Sequence, residues 1–254
     1  MSQQQQTLEG RVALVTGASQ GIGLAIAQQL AARGVRVVML ARSKDKLDQA
    51  AAAIGDTAIA IPTDVGDPDA VRSAFKMVAD TFGRLDILVN NAAIGYLGKV
   101  ENLTDEAIAS HMNTNVSGMI YCCREAIALL KQSDCADIIN LSSDSVSDPF
   151  PYLTLYATTK GAVEVFTKAL RRELKPDRIR VTLMRPGPTV TGFAETWDQE
   201  LAAEAFQVWQ AAGYLHTGGD GGGAMDTDTV ANTVVFIVSQ AAATYIEFVE
   251  VRPH

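Results

Sequence analysis

Tyr156 and Lys160 stand four residues apart in Tyr156-Ala157-Thr158-Thr159-Lys160. On a helix this spacing puts both side chains on one face, one turn from each other. A cation near a phenol favours the phenolate, so the lysine is expected to draw the tyrosine below its usual pKa of about 10. A phenol moved toward neutrality can give a proton to, or take one from, an alcohol or carbonyl oxygen. Alone, the pair is a common coincidence, and an exposed lysine beside a packed tyrosine is its plainest reading. A second group adds weight. Thr16-Gly17-Ala18-Ser19-Gln20-Gly21-Ile22-Gly23 lies between an apolar run and a stretch periodic at Ile22, Ile26 and Leu30. Gly17 permits a tight turn, Gly21 a close approach of backbone to phosphate, and Gly23 close packing of helix on sheet. N–H groups of the first helical turn would then face a pyrophosphate. A purely structural strand–helix turn is the competing reading.

The elements that must carry these residues alternate. Short apolar runs at 11–16, 35–40, 58–61, 85–89, 136–141 and 179–184 read as buried strands, and 245–251 as a last one. Helical stretches fall at 21–33, 44–53, 67–82, 104–131, 156–174, 195–211 and 227–239. Such alternation implies right-handed crossovers and predicts an α/β fold: a single doubly wound parallel sheet of about seven strands, helices on both faces.

The chain has 254 residues, 48% of them hydrophobic, which is enough for one large core over 8–254. Residues 1–7 read as a disordered tail. A net charge of -8 disfavours nucleic acid and anionic membrane surfaces. No apolar run reaches the roughly 18 residues of a membrane span, and no signal peptide is apparent, so a cytoplasmic location is expected. Cys122, Cys123 and Cys135 make neither a disulfide framework nor a metal cluster, and no metal is expected.

Taken together, Thr-Gly-x3-Gly-Ile-Gly, Asn90-Asn91-Ala92, a serine (Ser143) thirteen residues before Tyr156-x3-Lys160, and Pro186-Gly187 resemble the short-chain dehydrogenase/reductase family. The resemblance runs in order and spacing over about residues 8–191. It implies a Rossmann-like sheet, a nicotinamide dinucleotide, and hydride transfer between that cofactor and a small ketone or secondary alcohol. Tyr156 would be the general acid/base. Lys160 would lower its pKa and bond the nicotinamide ribose, and Ser143 would hold the substrate oxygen. Asn115 would sit in a kinked helix, where a water links the lysine to solvent; the spacing to Gly118 favours it over Asn113.

The same resemblance places Gly17, Ser19, Gln20, Gly21, Ile22 and Gly23 at the cofactor. Asp64 would contact the adenine and Val65 line its ring, although an Asx turn before Gly66 also accounts for Asp64. Asn91 and Ala92 would lie against the adenosine, with Asn90 tying strands together. Pro186 and Gly187 would turn the chain over the nicotinamide, with Thr189 and Thr191 beside its carboxamide. NAD-specific relatives commonly close the second strand with an aspartate, but here Ala41 is followed by Arg42 and Ser43. Arg42 could fork onto a 2′-phosphate and Ser43 add a hydroxyl, which favours NADP(H), with NAD(H) the alternative. Lys44 and Lys46 read as a solvated helix start. Gln20 occupies a place where many NADP-binding relatives have a second basic residue.

Phe193, Trp197, Phe206, Trp209 and Tyr214 follow the nicotinamide turn and suggest an aromatic substrate pocket. Residues 188–225 would cover it, hinged by glycines between 213 and 223. His216 reads as a surface residue. The resemblance implies a homodimer or homotetramer, although the ending departs from the usual Gly-rich tail. Two rivals remain: an NAD-linked alcohol dehydrogenase, and a non-catalytic nucleotide-sensing module, which would be expected to lack an intact Ser/Tyr/Lys set.

Overall fold

The computed structural model describes residues 6–214 and 223–254. Seven strands are found: β1 Val12–Thr16, β2 Arg36–Ala41, β3 Ala58–Pro62, β4 Ile87–Asn90, β5 Asp137–Leu141, β6 Arg180–Pro186 and β7 Phe248–Val251. They pair in the order β3-β2-β1-β4-β5-β6-β7, each neighbouring pair parallel. Strand order reverses between β1 and β4, so a crevice opens beyond their carboxyl ends, where ligands bind in open α/β sheets.

Helices cover both faces. On one, α1 (Gly21–Ala31), α2 (Lys44–Ile54) and α8 (Thr227–Val238) close over Val15, Met39 and Ile139. On the other, α3 (Pro68–Phe82), α5 (Gly118–Leu130) and α6 (Thr154–Glu173) close over Leu14, Leu88 and Ile138. Alternate residues of a strand feed opposite cores, so the apolar run 12–15 lacks polar relief on either face. Each such side chain contributes about 1.5–3 kcal/mol by leaving water. At the amino ends of the strands, buried Asp137 accepts from Arg11 at 2.8 Å and from Arg180 at 2.8 Å. This ion network joins β1, β5 and β6 at the end away from the crevice.

The structure redraws several sequence boundaries. The long helix expected over 104–131 is α4 (Asp105–His111), a π-helical turn (Met112–Ser117) and α5. The wider turn swings Asn115 inward, where it is 2% exposed. Helix α6 starts two residues earlier than expected, at Thr154, which puts Tyr156 in its first turn. The stretch expected to be helical over 195–211 is a 3-10 turn (Gly192–Ala194) followed by α7 (Gln199–Ala211), whose N-cap Asp198 accepts from Leu201 N–H at 2.9 Å. Strand β7 begins at Phe248 rather than Tyr245. Before it, side chains replace the ladder: Thr182 Oγ1 donates to Ile246 O at 2.6 Å, and Val181 N–H donates to the Tyr245 hydroxyl at 3.2 Å. Of the expected disordered tail, residues 1–5 lie outside the described residues, and Gln6 N–H is tied to Ser239 O at 2.9 Å. His216 and most of the glycine-rich stretch also lie outside them. Among the described residues no helix is long and apolar enough to cross a membrane, and no cluster of His, Cys, Asp or Glu could hold a metal ion.

Candidate active site

A cavity of ≈ 1170 Å³ runs along the carboxyl ends of the strands. It exceeds the roughly 300–1,000 Å³ of ordinary small-molecule pockets. At one end lie Arg42, Ser43, Lys46, Asp64 and Val65. The middle is floored by the glycine turn after β1 and by Asn91 and Ala92 after β4. The other end holds Ser143, Tyr156 and Lys160 under an aromatic roof.

The glycine turn is shaped by its neighbours. Gly17 has φ +66 and Gly21 φ +56, the left-handed region that side chains resist. A Cβ on Gly23 would meet Gly17 O at 2.3 Å and Asn91 Nδ2 at 2.5 Å. Gly23 therefore lies behind the cavity wall and lets the turn close on itself, a sharper constraint than the expected helix–sheet packing. Asn91 Nδ2 donates to Thr16 O at 2.9 Å and Gly17 O at 3.3 Å, so the side chain expected at the adenosine also braces the turn. No side chain caps the start of α1 and no acid lies in its first turn. Its N–H groups and dipole are open to an anion.

Of the residues expected at the cofactor, Ser19, Gln20, Ile22, Pro186, Gly187, Thr189 and Thr191 line the cavity with those already named, and Gly23 does not. Asp64 does two things: it faces the cavity and its Oδ1 accepts from Gly66 N–H at 2.9 Å, the anticipated Asx turn. Asn90 is structural as expected, its Nδ2 donating to Asn140 Oδ1 across to β5 at 2.8 Å. Lys46 is an exposed residue of the helix start, as expected, and it also lines the cavity and donates to Gln20 Oε1 at 3.3 Å. Lys44 does stay outside, paired with Asp48. A phosphate-rich dinucleotide fits this wall: glycine backbone and an uncapped helix start in the middle, two cations at one end.

Tyr156, Ser143 and Lys160 come together at the other end. Burial pushes the Tyr156 phenol up to about 12, against a smaller opposing pull from the neighbouring Ser143 hydroxyl. This reverses the sequence expectation. Lys160 Nζ stands 5.7 Å from the Tyr156 ring centroid and donates to Leu141 O at 2.9 Å. Burial pulls the amine down to about 8, so its charge is weakened where the phenol needs it. The i,i+4 spacing did put both on one face, but desolvation outweighs their attraction.

Positioning groups surround the trio. Ser142 donates to Glu164 Oε1 at 2.9 Å, and Arg185 grips both Glu164 oxygens at 2.9 Å. Glu164, one turn beyond Lys160, thus fastens α6 to β6 and to the end of β5. Asn115 does not reach the cavity. Its amide pairs with Ile94, accepting from N–H at 2.8 Å and donating to C=O at 2.8 Å, and donates to Thr159 Oγ1 at 3.0 Å. It joins the segment after β4 to the helix that carries Tyr156 and Lys160. Asn113 is exposed.

Phe193 packs on Tyr156 with ring centroids 5.0 Å apart, and Trp197, Phe206 and Trp209 complete the roof. Tyr214, also expected there, packs behind it on Phe150 at 5.1 Å. Trp197 Nε1 donates to Gly95 O at 2.6 Å and Trp209 Nε1 to Pro151 O at 2.7 Å, which anchors the roof to the two loops beneath. Sequence reasoning missed Thr114, Phe150, Leu153 and Asp144 on the wall. Only Asp144 had a signal, its place directly after Ser143.

Comparison with known proteins agrees with this geometry. The pattern of the short chain dehydrogenase family matches residues 11–202. An uncharacterized oxidoreductase of Staphylococcus haemolyticus is 31% identical over 247 residues, 97% of this chain and 98% of that one. The 3-ketoacyl-(acyl-carrier-protein) reductase of Brucella melitensis, solved with NADH, superposes with TM-score 0.82 at 31% identity, covering 96% of this chain and 97% of its own. L-Sorbose reductase of Gluconobacter frateurii, solved with NADPH and L-sorbose, gives 0.83 at 28% identity, covering 100% and 98%. A parallel Rossmann-like sheet, a glycine turn at its switch point and a full-length match to oxidoreductases of this type lead to one conclusion: the chain belongs to the short-chain dehydrogenase family.

Proposed function

We propose that the protein is an NADP(H)-preferring reductase of ketones, or oxidant of the corresponding secondary alcohols, with Tyr156 as proton donor and acceptor. One observation carries the reading: a single cavity has Ser143, Tyr156 and Lys160 at one end and Arg42 with Lys46 at the other. A bound nicotinamide dinucleotide supplies or accepts the hydride. The protein's own residues do the rest. Gly17, Gly21 and the start of α1 receive the pyrophosphate on backbone N–H groups. Arg42, Ser43 and Lys46 receive a 2′-phosphate, and Asp64 and Val65 the adenine. Thr189 and Thr191 orient the carboxamide.

Ser143 holds the substrate oxygen against the Tyr156 hydroxyl, which delivers its proton as negative charge develops there. Lys160, cationic below about pH 8, stabilises the phenolate left behind. Phe193 and Trp197 exclude water. Asn115 acts through Ile94 and Thr159, keeping the trio in register. The Brucella neighbour carries NADH, so the two cofactors must be tested separately. Initial rates with NADPH and with NADH on a panel of ketones decide. NADPH is expected to give the higher kcat/KM, and NADH-only turnover would reverse the cofactor assignment. No turnover with either would end the reading.

A further inference from the structure

The substrate end of the cavity has a charge that the proposed chemistry does not use. Asp144 directly follows Ser143, lines the cavity, and accepts from Ser143 Oγ at 3.2 Å. It is close enough to oppose ionisation of Tyr156, and burial raises its own pKa. Its cationic neighbour is already engaged: Arg252 donates to Glu250 Oε1 at 2.7 Å. Arg185, the other cation nearby, grips Glu164 at 2.9 Å and reaches Glu250 at 3.7 Å. Both guanidinium groups are thus turned to other carboxylates, and Asp144 faces the cavity with no salt-bridge partner among the described residues. Beside it Ser145 also lines the cavity, and its buried hydroxyl has no hydrogen-bond partner among the described residues. Phe150, Leu153, Phe193 and Trp197 make up the surrounding wall, and among the described residues Lys160 is the one cation at this end.

We propose that this site takes hydrophobic, aryl-bearing ketones whose neighbouring carbon carries a hydrogen-bond donor, and rejects oxo acids, with Asp144 making the choice. The aromatic wall receives the apolar body. A hydroxyl next to the carbonyl takes over the donation to Asp144 now made by Ser143, which frees the Ser143 O–H to turn to the carbonyl oxygen. A carboxylate in that place would meet a like charge in a partly desolvated wall, where repulsion is strongest. This selection rests on the reductase reading above.

Three ketones of nearly equal size separate the outcomes: acetophenone, its α-hydroxy derivative, and phenylglyoxylate. Each is reduced with NADPH and with NADH by wild type and by Asp144→Asn. Wild type is expected to favour the α-hydroxy ketone over acetophenone by about tenfold in kcat/KM, and to take phenylglyoxylate at least about tenfold worse. Asp144→Asn is expected to raise phenylglyoxylate relative to acetophenone by about tenfold and to narrow the hydroxyl preference. Comparing ratios between wild type and variant cancels intrinsic reactivity. Wild type that accepts phenylglyoxylate as readily as acetophenone overturns the selection and leaves the reductase standing, as does a variant with unchanged ratios. A wild type that reduces none of the three with either cofactor overturns both. Quenching of protein fluorescence by NADPH shows that the variant is folded, and the wild-type ratios decide without it.

Discussion

Lys160 Nζ stands 5.7 Å from the centroid of the Tyr156 ring and donates to Leu141 O at 2.9 Å. Burial moves the two groups apart in pKa, the tyrosine up to about 12 and the lysine down to about 8. The group that titrates in the working range is therefore the amine. Below about 8 it is cationic and can steady a developing phenolate; above, it cannot. We expect kcat/KM for reduction to fall as pH rises through about 8, since this parameter reports the free enzyme. Lys160→Arg should move that fall to higher pH, because guanidinium stays charged. A flat profile from about pH 7 to 9 in wild type would remove Lys160 from this role.

The same burial has a stability consequence with a definite sign. Lys160 titrates at 10.5 when unfolded and at about 8 when folded. Between these values the unfolded state binds more protons, so stability rises with pH through the window. At neutral pH the buried charge opposes folding by about 3 kcal/mol, at about 1.4 kcal/mol per unit. Lys160→Met should raise the urea midpoint at pH 7 and lose most of that advantage near pH 10.5. An equal or lower midpoint at neutral pH would show that the hydrogen bond to Leu141 matters more than the desolvation.

Tyr156→Phe keeps the ring that packs on Phe193 at 5.0 Å and removes only the hydroxyl. Turnover should fall by at least ~10²–10⁴-fold, the span of proton-transfer catalysis. Affinity for NADPH, read by fluorescence titration, should barely change. Unaltered turnover would mean that another group handles the proton.

Cofactor choice is expected to reside in Arg42 and Lys46, both on the cavity wall. Arg42→Asp should invert the NADPH/NADH ratio of kcat/KM, by repelling a 2′-phosphate and accepting from free ribose hydroxyls. Lys46→Ala should lower the ratio about tenfold, the worth of one charge-assisted hydrogen bond near 1.5 kcal/mol. Equal ratios in wild type and both variants would place the discrimination elsewhere.

Gly23→Ala tests how tightly the turn is closed. The new methyl would lie 2.3 Å from Gly17 O, a backbone atom that cannot swing aside. Expected are a loss of about 1–3 kcal/mol in denaturant stability and a matching loss of cofactor affinity. Gly161→Ala is the control: on α6 a Cβ there meets nothing within 4 Å, and it should stabilise by about 0.8–1 kcal/mol. A tolerated Gly23→Ala would mean that the turn is looser than drawn.

Much of this molecule was legible before folding because it depends on local periodicity. The runs that became β1 to β6 could be read from apolar length alone, and Tyr156 with Lys160 from one helical turn. The π-helical turn at Asn115 was not legible in the periodicity, since an extra residue per turn leaves no mark on a 3.6-residue pattern; the family resemblance pointed to a kink there. Nor was the shortened β7, whose flanking residues are satisfied by Thr182 and Val181 from another strand.

What the chain order determined by itself was the alternation, the glycine turn and the shared face of phenol and amine. Tertiary structure alone decided that Lys46 faces the cavity, that Asn115 serves Ile94, that Asp144 faces the cavity beside Ser143, and that the phenol is made less acidic rather than more. The reason is physical: spacing along a helix is a property of the backbone, whereas desolvation depends on which distant elements come to cover a side chain.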